Sequence, residues 1–234
     1  MKPILKIFHI FNFIIKFLFG NSLNEKKMLK NILKGNDLVF FDVGSNLGEN
    51  IKFIKKTFGN NVEIHAFEPS KESYNTLKQR FPKINLNNTA ISNYIGNSTF
   101  YERNISSQSS LNERINHPLD GVKNKYTVEV STLDEYVEDK GIKKIDLLKI
   151  DTEGNDYKVL DGAQKLLSKI DVKLIKIECL FDLVNSEDES EFKKIFDILS
   201  NFDFKIYSVP NLKHINNRIY LMDLYFINNK LLRT

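Results

Sequence analysis

"LVFFDVGSNLGEN", residues 38–50, decides how this chain folds. An apolar run of strand length stops at Asp42 and Gly44, and a helix-period segment, "NLGENIKFIKKTFG", follows at once. That is a buried strand, a glycine turn and a helix. The same alternation recurs along the chain. "VEIHAFEP" (62–69) is a second strand stopped by Pro69, and "SKESYNTLKQRF" follows with Ser70 and Ser73 where an N-cap and first turn belong. "INLNNTAIS" (84–92) reads as a third strand, "KIDLLKID" (144–151) as a fourth and "VKLIKIECL" (172–180) as a fifth. The helix "NDYKVLDGAQKLLSK" lies between the last two. "STFYER" (98–103) and "KYTVEVSTLDEYV" (125–137) flank a Ser- and Asn-rich loop, so the region near 98–130 reads as an inserted hairpin or edge pair. An acidic helix, "EDESEFKKIFDILSNF", leads to two closing strands, "FKIYSVP" and "RIYLMDLYFIN", with no helix between them. The expected fold is α/β, a mostly parallel sheet with helices on both faces and an antiparallel hairpin at one edge.

The chain has 234 residues, 41% of them hydrophobic and 27% charged, enough to bury one sizeable core. A net charge of +4 without a Lys/Arg-rich run argues against nucleic acid as the partner. Cys179 is the single cysteine, which excludes an internal disulfide and a cysteine-based zinc site. It sits inside an apolar run and reads as a buried, inert thiol. Residues 1–34 form a separate N-terminal helix and linker ahead of a domain spanning 35–234. In "MKPILKIFHIFNFIIKFLFG", Lys2, Lys6, His9, Asn12 and Lys16 fall on one narrow stripe of an otherwise apolar helix. It is too short and interrupted to span a bilayer, and no small-residue cleavage site follows. Three readings stand side by side: a helix on a membrane surface through residues 2–19, a helix packed on the protein itself or a second copy, and an uncleaved signal-anchor. The expected location is the cytoplasm, with the first reading putting the protein peripherally on the inner face of the membrane.

In an open α/β sheet, ligands bind beyond the carboxyl ends of the strands. The first such end is D-x-G-x-x-x-G: Asp42, Gly44 and Gly48. Gly44 permits a tight turn and a close approach to the main chain, and Asn46 is placed to cap the helix. The spacing differs from the G-x-G-x-x-G of dinucleotide-binding turns. Asp42 would repel a pyrophosphate but attract an ammonium and a sulfonium, which favours S-adenosylmethionine over NAD. Glu68 ends the second strand, where an acid accepts hydrogen bonds from ribose hydroxyls. At the third strand's end, Asn88 is placed for a base edge and Ala90 leaves room for a ring.

"FDVGSNLGEN", "HAFEPS", "NTAISNYIG", "SSL" at 109–111, "STLDEYV" and "IDLLKIDTEGNDYKVLDGA", in this order, resemble the FkbM family of S-adenosylmethionine-dependent methyltransferases over residues 37–180. The resemblance implies a class I methyltransferase, Rossmann-like, with a seven-stranded sheet ending in an antiparallel hairpin. It implies O-methylation of a sugar, glycan or natural-product hydroxyl. It puts the cofactor turn on Asp42, Gly44, Asn46 and Gly48, with Ser45 standing where the family commonly has alanine, and the ribose acid on Glu68. Thr152 stands where valine is common.

"LLKIDTEG" (147–154) then becomes the opposite wall of the pocket. Lys149-x-Asp151 and Lys176-x-Glu178 repeat one pattern on two adjacent strands, so each lysine can neutralise neighbouring acids. Asp151 is the leading general base, or with Glu153 a Mg²⁺ ligand; no ligand spacing compels a metal, and none is assigned. The alternative is an ion-pair ladder under the cofactor turn. Glu178 and His117 are further candidates for catalysis. The loop 104–124 is long enough to cover the site, with Ser109 and Ser110 meeting the acceptor. An NAD(P)-linked oxidoreductase and a non-catalytic scaffold recruited by its N-terminal helix remain the rival functions.

Overall fold

The computed structural model describes residues 22–113, 121–180, 191–215 and 218–232. The amphipathic helix expected over residues 2–19 and the candidate base His117 lie outside them. The chain divides into two compact units, Met1–Gly35 and Asn36–Thr234. In the first, α1 runs Ser22–Ile32, with Glu25 in its first turn and Lys30 in its last, charges that suit the helix dipole. No helix among the described residues is long and apolar enough to cross a membrane.

The second unit holds a seven-stranded sheet in the order β3-β2-β1-β7-β8-β10-β9. Its strands are β1 Val39–Val43, β2 Glu63–Phe67, β3 Asn85–Asn87, β7 Lys144–Ile150, β8 Asp171–Leu180, β9 Phe204–Ile215 and β10 Arg218–Asn228. The first five pair in parallel, and β10 runs antiparallel to both β8 and β9. The expected edge hairpin is therefore present. All five residues of β1 are buried, as a central strand covered on both faces requires. Alternation along the strand assigns the faces. Phe40 meets Phe58 of α2 (Glu49–Phe58), and Phe41 meets Tyr136 of α4 (Leu133–Lys140), edge to face. The helix α3 (Lys71–Arg80) follows β2, with its N-terminus capped by Ser70 as expected, whose hydroxyl accepts the Ser73 N–H. The larger core joins Phe41, Leu148, Ile175 and Phe226 to Leu133 of α4, Leu160 of α5 (Asp156–Asp161), Leu166 of α6 (Gln164–Lys169) and Leu199 of α7 (Glu191–Asn201).

Several expected boundaries move. The third strand is two: β3 stays in the main sheet, while β4 (Ala90–Ile91) crosses to a small sheet of order β4-β6-β5. There it pairs with β6 (Val122–Ser131), which forms a hairpin with β5 (Gly96–Arg103). Pattern alone cannot separate the two halves, because alternation along a strand is the same whichever sheet receives it. The β-run expected over 125–137 ends at Ser131. Thr132 accepts the Glu135 N–H and starts α4 instead. The helix after the fourth strand breaks into α5 and α6 at Gly162, where the Ser92 carbonyl occupies the place of a side chain. Cys179 is free and fully buried, and burial pushes its thiol up.

Candidate active site

The turn after β1 is built from backbone contacts. Phe67 O accepts the N–H groups of Gly44 and Ser45, each at 3.1 Å, and Ser45 Oγ donates to Asp42 O at 2.8 Å. Gly44 has φ 76°, and a Cβ there would lie 1.9 Å from the Asp151 carbonyl oxygen. The space beside this glycine is thus filled by the end of β7, not held open for a ligand. Gly48, at φ 83°, is kept small by Leu77 and Phe81. It, rather than Asn46, is the N-cap of α2, since the chain first spends a turn in which Gly48 N–H bonds Ser45 O. Asn46 sits at φ 46° and donates its N–H to Glu68 Oε2 at 2.6 Å.

Glu68 is buried, and its other oxygen accepts the Ser70 N–H at 2.8 Å. Burial raises its pKa to about 7, opposed by the two N–H donors. This acid therefore ties the turns of β1 and β2 together, and each oxygen keeps a further lone pair for a ligand. Asn88 donates its amide to the carbonyls of Glu68 and Pro69 at 2.8 and 3.1 Å. Ala90 packs in the small sheet's core with Phe100, Val128 and Val130.

On the other wall, register places Lys149 of β7 between Asp42 of β1 and Lys176 of β8. Lys149 Nζ lies 3.3 Å from Asp42 and 3.4 Å from Asp151, and donates to Gly44 O at 2.6 Å. Burial alone would lower its pKa, but Asp151 and Asp42 outweigh that and hold it above the usual lysine value. The ion-pair ladder and the catalytic reading thus share one lysine. Lys176 Nζ lies over the Tyr225 ring, 5.6 Å from its centre.

Asp151, Glu153 and Glu178 converge, with one carboxylate oxygen from each within 4.8 Å of the others. Burial, then the charges of Asp151 and Glu153, push Glu178 up to about 10. Asp156, fully buried, is raised to about 6 by burial and by Asp151, while accepting the N–H groups of Thr152 and Gly154. Sequence reasoning passed over Asp156, although its place at the start of a helix is a position where acids hold turns. The hydroxyls of Ser109 and Ser110, expected to meet an acceptor, are engaged by the protein's own backbone. Ser109 Oγ accepts the Arg103 N–H at 3.0 Å, and Ser110 is buried against the backbone of Thr152 and Glu153.

A family model for the FkbM methyltransferase domain matches residues 42–206. The chain belongs to the FkbM methyltransferase family. It is an enzyme of the S-adenosylmethionine-dependent class, on a fold shared with other methyltransferases. The FkbM methyltransferase of Methylobacillus flagellatus superposes with a TM-score of 0.54 at 16% identity, over 84% of this chain and 45% of that one. The chain therefore spans less than half the length of that FkbM structure. A rRNA-methylase, described as putative, from Clostridium thermocellum superposes with a TM-score of 0.52 at 9% identity, over 89% of this chain and 95% of that one. At such identities these likenesses show the fold alone. No curated protein matches the chain.

The residues at the strand ends suit a polar cofactor. Among the described residues, the buried side-chain atoms without a hydrogen-bond partner are both oxygens of Asp42, whose charge Lys149 nonetheless balances at 3.3 Å, and single oxygens of Asn46, Gln108, Thr152 and Glu178. All but Gln108 lie at or just beyond the ends of β1, β7 and β8. An open cavity of 560 Å³ lined by Asp134, Glu135, Glu138 and Asp161 contains none of the expected site residues.

Proposed function

We propose that this FkbM-family chain methylates a hydroxyl oxygen of a sugar, glycan or natural product, with Asp151 as general base. The convergence of Asp151 with Glu153 and Glu178, beside the turn of β1, supports this reading. When bound, S-adenosylmethionine supplies an electrophilic methyl group. Glu68 holds ribose hydroxyls through its free lone pairs, and Asn46 Oδ1 offers a neighbouring acceptor. Asp42, Gly44, Ser45 and Gly48 shape the turn, and Asn88 steadies the carbonyls of residues 68 and 69. Asp151 takes the hydroxyl proton, while Lys149 orients its carboxylate. Glu178, raised to about 10, is neutral near pH 7 and serves as a hydrogen-bond donor to the acceptor. His117 stays a second candidate for proton transfer.

A wall of carboxylates suits a neutral, hydroxyl-rich acceptor and repels a polyanion. The acceptor is therefore a polyol rather than RNA. Residues 2–19, read from the sequence as an amphipathic helix, would attach the protein to the inner face of the membrane, close to lipid-linked glycans; cosedimentation with anionic vesicles tests this, and no binding to them overturns it.

Calorimetry with S-adenosylmethionine and NAD tests the cofactor. Binding of the first is expected, and tight binding of NAD alone overturns the assignment. With a panel of glycan hydroxyl acceptors, Asp151→Asn should lower turnover by about 10²–10⁴-fold while sparing cofactor affinity. Unchanged turnover rejects the base role. A second reading, in which Asp151, Glu153 and Glu178 hold a divalent cation, is favoured by the same convergence; turnover abolished by a chelator and restored by Mg²⁺ would select it.

A further inference from the structure

The chain leaving β5 folds back on that strand and reaches the turn after β7. Tyr101 and Ser110 exchange backbone hydrogen bonds, with N···O distances of 2.9 and 3.2 Å. This seats Ser110, 2% exposed, against residues 152–154. Its hydroxyl lies 2.9 Å from Glu153 O and 3.3 Å from Thr152 O, and accepts the Asn112 N–H at 3.2 Å. Asn112 in turn donates its amide to Gly154 O. From the helix side, the Asp156 carboxylate accepts the N–H groups of Thr152 and Gly154 at 2.9 and 3.1 Å.

These contacts hold an unfavourable shape. Glu153 has φ 57° and Gly154 φ 91°. A non-glycine residue in the left-handed region is strained and persists only where its surroundings impose it. Asp156 is local to the turn, but Ser110 and Asn112 come from the insert, some forty residues earlier. The shape they impose turns the chain directly behind Asp151, where Glu153 must reach both Asp151 and Glu178.

We propose that Ser110 and Asn112 are positioning residues, a latch by which the insert holds the 151–154 turn so that Asp151, Glu153 and Glu178 converge. This rests on Asp151 as the base, and it makes the geometry of that base depend on the insert. Release of the latch lets the turn relax, separates the carboxylates and admits water.

The test follows amide hydrogen exchange at Thr152 and Gly154 of the full chain, whose N–H groups Asp156 accepts, beside turnover on the panel of glycan hydroxyl acceptors. Ser110→Ala should speed exchange at both amides by about tenfold or more and lower kcat with KM little changed. Ser110→Thr, which keeps the hydroxyl, should retain the parent values, and Asn112→Ala should give smaller effects. S-adenosylmethionine affinity should stay at the parent value in all three. Exchange at the parent rate in both Ser110→Ala and Asn112→Ala, or faster exchange with unchanged kcat, overturns the latch. If Ser110→Ala does not fold, Asn112→Ala decides alone. Failure of the methyltransferase reading shows separately, as a parent chain that does not bind S-adenosylmethionine.

Discussion

The turns that follow β1 and β7 touch each other, yet they are held by different means. The first is braced by its own β-α units: Phe67 O takes two N–H groups, and Glu68 takes those of Asn46 and Ser70. The second is held by Asp156 beside it and by Ser110 and Asn112 of the insert. It also carries two of three crowded carboxylates, the third, Glu178, coming from β8, whereas Glu68 accepts from two backbone N–H groups. A turn braced locally can serve one cofactor across a family. One braced from an insert can change with the insert, and so with the acceptor.

Lys149 joins the two turns, and its loss should be the largest effect. Lys149→Met keeps most of the side-chain length but leaves Asp42 buried without its cation. Removing one partner of a buried pair costs about 3–5 kcal/mol, so the urea midpoint should fall sharply. A midpoint equal to the parent's would mean that the turns do not depend on this lysine.

Gly44→Ala attacks the contact between the turns. Its Cβ would collide with the Asp151 carbonyl at a positive φ, and overpacking of this kind costs about 1–3 kcal/mol. Cofactor affinity and turnover should fall together, since both walls must shift. A loss confined to affinity would show the walls to be independent.

The smallest effect concerns the cofactor wall alone. Glu68 titrates near 7 in the folded chain, against an ordinary value of 4.5, so the fold favours its protonated form. Its contribution to stability is present at pH 4 and is lost as pH rises from about 4.5 to 7. Ligand binding has the opposite sign, because ribose hydroxyls need the ionised acceptor. Affinity for S-adenosylmethionine should weaken as pH falls below about 7, by up to about tenfold per unit. Glu68→Gln should flatten that dependence; a parent affinity independent of pH between 5 and 8 would remove Glu68 from the ribose site.

The contrast between the turns also explains what could be read in advance. Gly44 and Glu68 stand at strand ends and Gly48 at a helix start, where strand period and turn chemistry mark them. Their reasons were less legible: Gly44 is small because of Asp151, and Asn46 serves Glu68 instead of capping a helix. Ser110 looked like an acceptor contact because a polar residue in a long loop is usually exposed. Only its return alongside Tyr101 buries it.

The amino-acid sequence by itself determined the order of the main strands and helices, the edge hairpin, the glycine turn after β1 and the family, because each is carried by residues close together in the chain. The split of the third strand, the lysine shared by Asp42 and Asp151, the raised pKa of Glu178 and the hold of the insert on the 151–154 turn were decided only by tertiary structure. Each depends on groups from different elements meeting away from water, where charge and hydrogen bonding take their strength from the surroundings and not from the residue type.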